Sequence, residues 1–238
     1  MTQMGMIIKY AIRTAANAFI GVTLYAVGIV MTINANLGMA PWDMLHQGLA
    51  NKFNITFGVA SIYVGILLLV INTFLGEKVG WGTVFNIICI GLIVDFIRHY
   101  HLIPIFDNIL LRLISMLFGL FVIGVGSRFY LSVGLGAGPR DGLMVGLTKK
   151  TKKSVRLIRN SIEMAVATIG YLLGGPLGIG TVIMATTTGF FVQFAFTLFR
   201  FDVKKIRHRS IDMDIKFLYK LIQEKLNKKE NNEIDESE

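Results

Sequence analysis

Two aspartates carry the chemistry this chain offers most clearly. Asp43 closes the segment Leu37-Gly38-Met39-Ala40-Pro41-Trp42-Asp43, and Asp141 closes Leu135-Gly136-Ala137-Gly138-Pro139-Arg140-Asp141. Proline suits the first turn of a helix, where its missing N–H is no loss. An aspartate two residues later lies favourably in the helix dipole and within reach of the free N–H groups of that turn. The preceding glycines permit unusual backbone angles and close helix approach. Each proline is therefore expected to start a short helix of about ten residues, roughly half a membrane thickness. Two readings follow. Both short helices lie at the surface and the aspartates are capping groups, or both are re-entrant and meet near the midplane around a polar cavity. In the second reading Gly38, Pro41, Asp43, Gly136, Pro139, Arg140 and Asp141 form a substrate or ion site. The acids are then candidates for proton or cation coupling, with the greater effect expected at Asp141. Arg140 stands where the first copy has Trp42, so an anion site at paired helix N-termini is an option, although the nearby carboxylates weigh against it.

Other polar residues suggest less. His99, His101 and Asp107 fall in a loop without metalloprotease spacing, and interfacial polarity accounts for them better than a metal. Glu163 lies one turn after Arg159, which points to a local ion pair before it points to a substrate ligand. Arg128 would snorkel to the headgroups, and Asn17, Asn72 and Asn86 would join helices. Cys89 is the single cysteine, which excludes an intrachain disulfide and a cysteine-based metal site. No P-loop, dinucleotide fingerprint or aspartyl-protease signature is present, so no catalytic residue, cofactor or metal is assigned and the chain is not read as an enzyme.

The elements that must position the aspartates are membrane helices. Hydrophobic residues make up 53% of the chain and charged residues 16%, with a mean hydropathy of +0.61. Spans are expected near Ala11–Thr32, Phe57–Leu75, Gly80–Ile97, Ile109–Leu131, Val155–Leu173 and Leu177–Phe199. The two motifs belong to a longer duplication at an offset of 98 residues. Gly21–Phe96 matches Gly119–Phe194 without a gap, with 21 identities in 76 positions, most of them Gly, Pro, Asp or Thr. Each copy holds three spans. An odd number of crossings, repeated in tandem, inverts the second copy, so the fold class is all-α: a polytopic membrane protein of six helices in two inverted-topology three-helix repeats, each with a Gly/Pro/Asp half-helix. With the N-terminus inside, the inner side receives ten cations before the tail: Lys9, Arg13, Lys78, Arg140, Lys149, Lys150, Lys152, Lys153, Arg156 and Arg159. The outer side receives three, Lys52, Arg98 and Arg112, which places both termini in the cytoplasm.

Three parts result: a first repeat over 1–100, a second over 101–200, and a tail over 201–238. The tail begins with Lys204, Lys205, Arg207 and Arg209, a cluster suited to anionic lipid headgroups. Ser210 then looks like a helix cap, and Ile211, Ile215, Leu218 and Ile222 form an apolar stripe suited to the interface or to a membrane-protein partner. The last residues, 230–238, are polar and acidic, the composition of disorder. The basic charge is explained by topology, with no need for nucleic acid.

At Asn36–Asp43 and Gly134–Asp141 the chain resembles the YczE/YyaS/YitT group of bacterial integral membrane proteins, most of all YczE-like members. The resemblance covers about Ala11 to Phe199 and leaves out the tail. It implies a multi-span plasma-membrane protein of a Gram-positive-type bacterium, with a link to secondary-metabolite production in some members, and transfers no functional residue. The expected function is a small transporter or channel-like permease for an unknown small solute or ion. A non-transporting membrane accessory or regulatory protein is the rival, and a lipid-active membrane enzyme comes third. A polar cavity between the repeats would favour the first, a dry closed bundle the second.

Overall fold

The computed structural model describes residues 3–134, 136, 138–201, 211 and 219, and the regular elements among them are all helical. The helices are α1 (Gln3–Asn34), α2 (Pro41–Phe53), α3 (Phe57–Phe74), α4 (Trp81–His99), α5 (Ile109–Leu131), α6 (Pro139–Thr151), α7 (Val155–Leu172) and α8 (Ile179–Leu198). Among the described residues, five segments are long and apolar enough to cross a membrane: Ile12–Asn34 within α1, and all of α3, α4, α5 and α8. The fifth expected span, Val155–Leu173, falls on helix α7 with nearly the same bounds. Arg156, Arg159 and Glu163 interrupt its apolar character, so it is not among those five.

The second half reproduces the first, cap by cap. Helices α2 and α6 both have proline at their start, after Ala40 at φ −59, ψ 151 and Gly138 at φ −61, ψ 153. Both end in a left-handed residue, Asn54 and Lys152. Thr56 then caps α3 by accepting from the Val59 N–H, and Ser154 caps α7 by accepting from the Leu157 N–H. The side-chain oxygen satisfies a donor that the helix itself leaves open.

Helices α1 and α5 form the central contact. A Cβ on Gly28 would lie 2.6 Å from the Gly119 carbonyl oxygen, and one on Gly126 would lie 2.8 Å from that of Gly21. Residue 28 therefore meets 119 while 21 meets 126, so the two helices run antiparallel. Small residues let the backbones touch, the usual basis of association where lipid removes the hydrophobic drive. Around this pair the halves exchange their short helices: α2 packs on α7, and α6 on α3. The buried core gathers on α1, α4 and α5, with Val30, Val94, Met116 and Leu120 almost fully enclosed.

The tail's expected basic cluster, cap, stripe and acidic end lie outside the described residues, apart from Ile211 of the stripe. Ile211 donates its backbone N–H to the Val79 carbonyl at 2.9 Å, which sets it against the α3–α4 turn.

Candidate functional site

Each motif is held by the opposite half of the chain. Gly38 has φ +110, and a Cβ there would lie 2.6 Å from Thr181 Oγ1 and 2.7 Å from the Gly178 nitrogen. Gly136 has φ +130, and a Cβ there would lie 2.6 Å from Thr83 Oγ1 and 2.8 Å from the Gly80 Cα. Only glycine fits either position, for the backbone angle and for the space. The Gly-Thr-Val repeats at Gly82 and Gly180 thus serve as seats for the partner motif. The Leu37 carbonyl accepts from the Gly180 N–H at 2.7 Å, and Asn72 donates through Nδ2 to the Pro139 carbonyl at 2.7 Å. Asn72 therefore joins the two halves, the role expected of it.

Seated this way, the starts of α2 and α6 come together. The Arg140 guanidinium lies over the Trp42 ring, 4.9 Å from its centroid, and 3.9 Å from Asp43 Oδ1. The position at which the two copies differ chemically is thus where they touch. Asp43 is buried at 5% exposure, with His46 Nδ1 3.9 Å from its Oδ1. No side chain caps either helix start, since alanine and glycine occupy the caps. Trp42 Nε1 donates to Glu163 Oε1 at 3.2 Å, so Glu163 bonds across the motif interface where the sequence pointed to a local pair with Arg159.

A cavity of about 780 Å³ opens at this junction. Pro41, Trp42, Pro139, Arg140 and Asp141 line it from the two motifs, joined by Tyr25, His46, Tyr130, Arg159 and Glu163, with apolar side chains between. Its size suits a small organic solute. Asp141 is exposed, and it also lines an adjoining recess of about 80 Å³ with Asn72 and Lys78. Of the expected site residues, Pro41, Pro139, Arg140 and Asp141 therefore reach the cavity directly. Asp43 sits behind them against Arg140, and Gly38 and Gly136 hold the motifs in place. Leu135 and Ala137 of the second motif lie outside the described residues.

The cavity owes its width to broken symmetry. In the first half Gly58, Gly65 and Gly91 let α3 and α4 close: a Cβ on Gly65 would lie 2.6 Å from Ile87 Cγ2, and one on Gly91 2.7 Å from the Gly58 carbonyl. The counterparts of Gly58 and Gly65 at the 98-residue offset are Arg156 and Glu163. Helices α7 and α8 cannot close on such side chains, and Gly189, the counterpart of Gly91, faces open space and lines the cavity.

His46, Tyr25 and Tyr130 are site residues that the motifs did not reveal. The other half has Met144 where the first has His46, so comparing copies hides it. Its place one turn beyond Asp43 was the available signal. Among the described residues, no three His, Cys, Asp or Glu side chains gather as a metal would require.

A family profile matches residues 12–197, both motifs and every cavity residue included. The chain belongs to the DUF6198 family. That family is described as one of unknown function. Two relatives are similar over most of their length: a protein of Haemophilus influenzae is 36% identical over 76% of this chain and 84% of its own, and the membrane protein YczE of Bacillus subtilis is 34% identical over 74% and 82%. YyaS of Bacillus subtilis is 28% identical over 71% of this chain and 86% of its own. The resemblance read from the two motifs is thereby borne out, and this DUF6198 protein is membrane-embedded. The Haemophilus relative extends the similarity beyond Bacillus, so it does not mark a Gram-positive-type source. No solved structure matches.

Proposed function

We propose that this DUF6198 protein is a small transporter or channel-like permease for a small solute, built as two inverted three-helix repeats in the plasma membrane. The observation that carries the reading is the cavity of about 780 Å³ at the junction of α2 and α6. Helix starts at membrane depth are tolerated where they are buried in protein or face such a cavity. Inverted repeats of this kind commonly place the substrate site at their interface. The antiparallel α1–α5 contact and the exchanged short helices support a pseudo-two-fold axis in the membrane plane, with α7 bringing the spans to six and its Arg159 and Glu163 turned to the cavity.

Both termini are assigned to the cytoplasm and the first motif to the outward half. The Ile211–Val79 hydrogen bond supports this, since it sets Ile211 on the side of Lys78. The tail's basic cluster would rest on anionic headgroups. Untargeted measurement of metabolite uptake and efflux, in cells lacking or overproducing the protein, tests it. A solute whose flux follows protein level is the expected result. Unchanged fluxes in both strains would leave the accessory-protein reading ahead.

A further inference from the structure

The two hairpins of the fold differ most in how they close. Helices α3 and α4 pack on each other, whereas α7 and α8 make almost no contact. The reason is readable position by position at the 98-residue offset. Ile87 is buried against the space that Gly65 leaves, and Gly91 lies against the Gly58 carbonyl. Ala185, Glu163, Gly189 and Arg156 stand at the corresponding places in the second hairpin, and Ala185 and Gly189 are exposed. Both line the cavity, together with Met164 of α7 and Val182 of α8, which are 72% and 63% exposed. A side chain on an enclosed wall cannot be exposed to that degree, so these residues mark the cavity's mouth. The mouth lies between α7 and α8, and Gly189 sits in the middle of the span Ile179–Leu198.

The walls of the mouth suit hydrocarbon. Met164, Ala167, Val182 and Ala185 form them, and the threonines of α8 that join them, Thr186 and Thr188, donate their hydroxyls to carbonyls of their own helix. At the motif junction the same cavity is polar, with Arg140, Asp141 and Glu163. We propose that the mouth admits a single-chain amphiphile from the bilayer. Its hydrocarbon chain lies between α7 and α8, and its polar head reaches the junction of α2 and α6. This names the solute class of the transport reading above and rests on that reading's placement of α7 and α8 in the membrane. A mouth at the middle of a span opens on lipid chains, not on water. About 780 Å³ is the volume of a drug-sized ligand site, room for one chain and a head but not for a two-chain lipid. Guanidinium and carboxylate groups stand side by side at the junction, which suits a head without net charge. Ile211 does not compete for the mouth, since its N–H bonds Val79 at the turn of the other hairpin.

Trp42 reports on the cavity from inside. It is buried and lines the cavity, and the chain's other tryptophan, Trp81, is exposed at the start of α4. Bromine on a hydrocarbon chain quenches indole fluorescence only at short range. Trp81→Phe protein in phosphatidylcholine bilayers is titrated with lysophosphatidylcholine carrying a dibrominated chain, kept a minor part of the lipid. The expected result is saturable quenching of Trp42 that unbrominated lysophosphatidylcholine reverses. Gly189→Phe and Ala185→Phe fill the mouth, the first at a position where a Cβ meets nothing within 4 Å. Shutting out about two methylenes should weaken the apparent affinity roughly tenfold in each. Leu92→Phe, exposed on α4, should change nothing. Having two mouth variants keeps the test decisive if one fails to fold. Absent quenching overturns the proposal, and is also what a second copy seated over the mouth would give. Quenching that rises linearly with dose, the mark of surrounding lipid, or that survives both mouth variants overturns it too. Flux separates the two readings. Saturable quenching without flux of the lysolipid or of any screened solute keeps the amphiphile site and removes transport. A water-soluble solute whose flux follows protein level, with Trp42 unquenched, removes the lateral entry and keeps transport.

Discussion

Burial separates the two motif aspartates. Asp43 is enclosed against Arg140 and His46, whereas Asp141 is exposed between the cavity and its side recess. Removing a buried charge paired with an arginine disturbs more than removing an exposed one that water can replace. The ranking drawn from the sequence therefore reverses: Asp43→Asn should reduce solute flux more than Asp141→Asn, with both variants inserted at normal levels. Flux of the solute found by the metabolite screen measures this, and equal losses would show that Asp43 has no special place. The motif glycines give a test that needs no substrate. Gly38→Ala and Gly136→Ala each force a side chain into a left-handed backbone and onto a threonine hydroxyl, which should cost about 1–3 kcal/mol or more in denaturant titrations. Wild-type midpoints for both would mean that the motifs are not seated as described. At this scale the sequence spoke through repetition: it showed Asp43, Asp141 and the Trp42–Arg140 exchange. It was silent on His46 and misplaced Glu163, because residues that break the repeat carry no echo in the other copy.

Apart from the start of α1, at Gln3 where the span was expected from Ala11, the helices were legible to within a few residues, since apolar runs and Gly/Pro punctuation set them. The packing was not, because it depends on single glycines that look alike in sequence. Gly91 and Gly189 are counterparts, yet a Cβ on Gly91 would lie 2.7 Å from the Gly58 carbonyl, and one on Gly189 would meet nothing within 4 Å. Gly91→Ala should therefore push α4 off α3 and cost about 1–3 kcal/mol, while Gly189→Ala should stay within about 0.5 kcal/mol of wild type. Thermal unfolding of the two variants in one detergent decides the matter. Similar losses at both sites would mean that α7 and α8 close as α3 and α4 do, leaving no open space at Gly189.

In the proposed architecture charge would orient the whole molecule, and packing would not reveal that orientation, because a bundle with an internal two-fold looks alike from either side. On the proposed six-span topology Lys and Arg divide ten against three before the tail, the kind of bias that sets topology during insertion. Lys52 and Lys150 are counterparts at the 98-residue offset, both exposed at the ends of their short helices. If the repeats are inverted they face opposite sides of the membrane; if the copies are parallel they face the same side. In a Cys89→Ser background, a cysteine at Lys52 should react with a membrane-impermeant maleimide in intact cells, and one at Lys150 only after the membrane is opened. Both substitutions fall outside the buried core, so insertion should be unchanged and any difference in labelling reports sidedness alone. Labelling of Lys150 and protection of Lys52 would keep the inversion and reverse the orientation. Labelling of both from outside would end the inverted-repeat architecture, and with it the physical reason for two proline-led helix starts to meet from opposite faces.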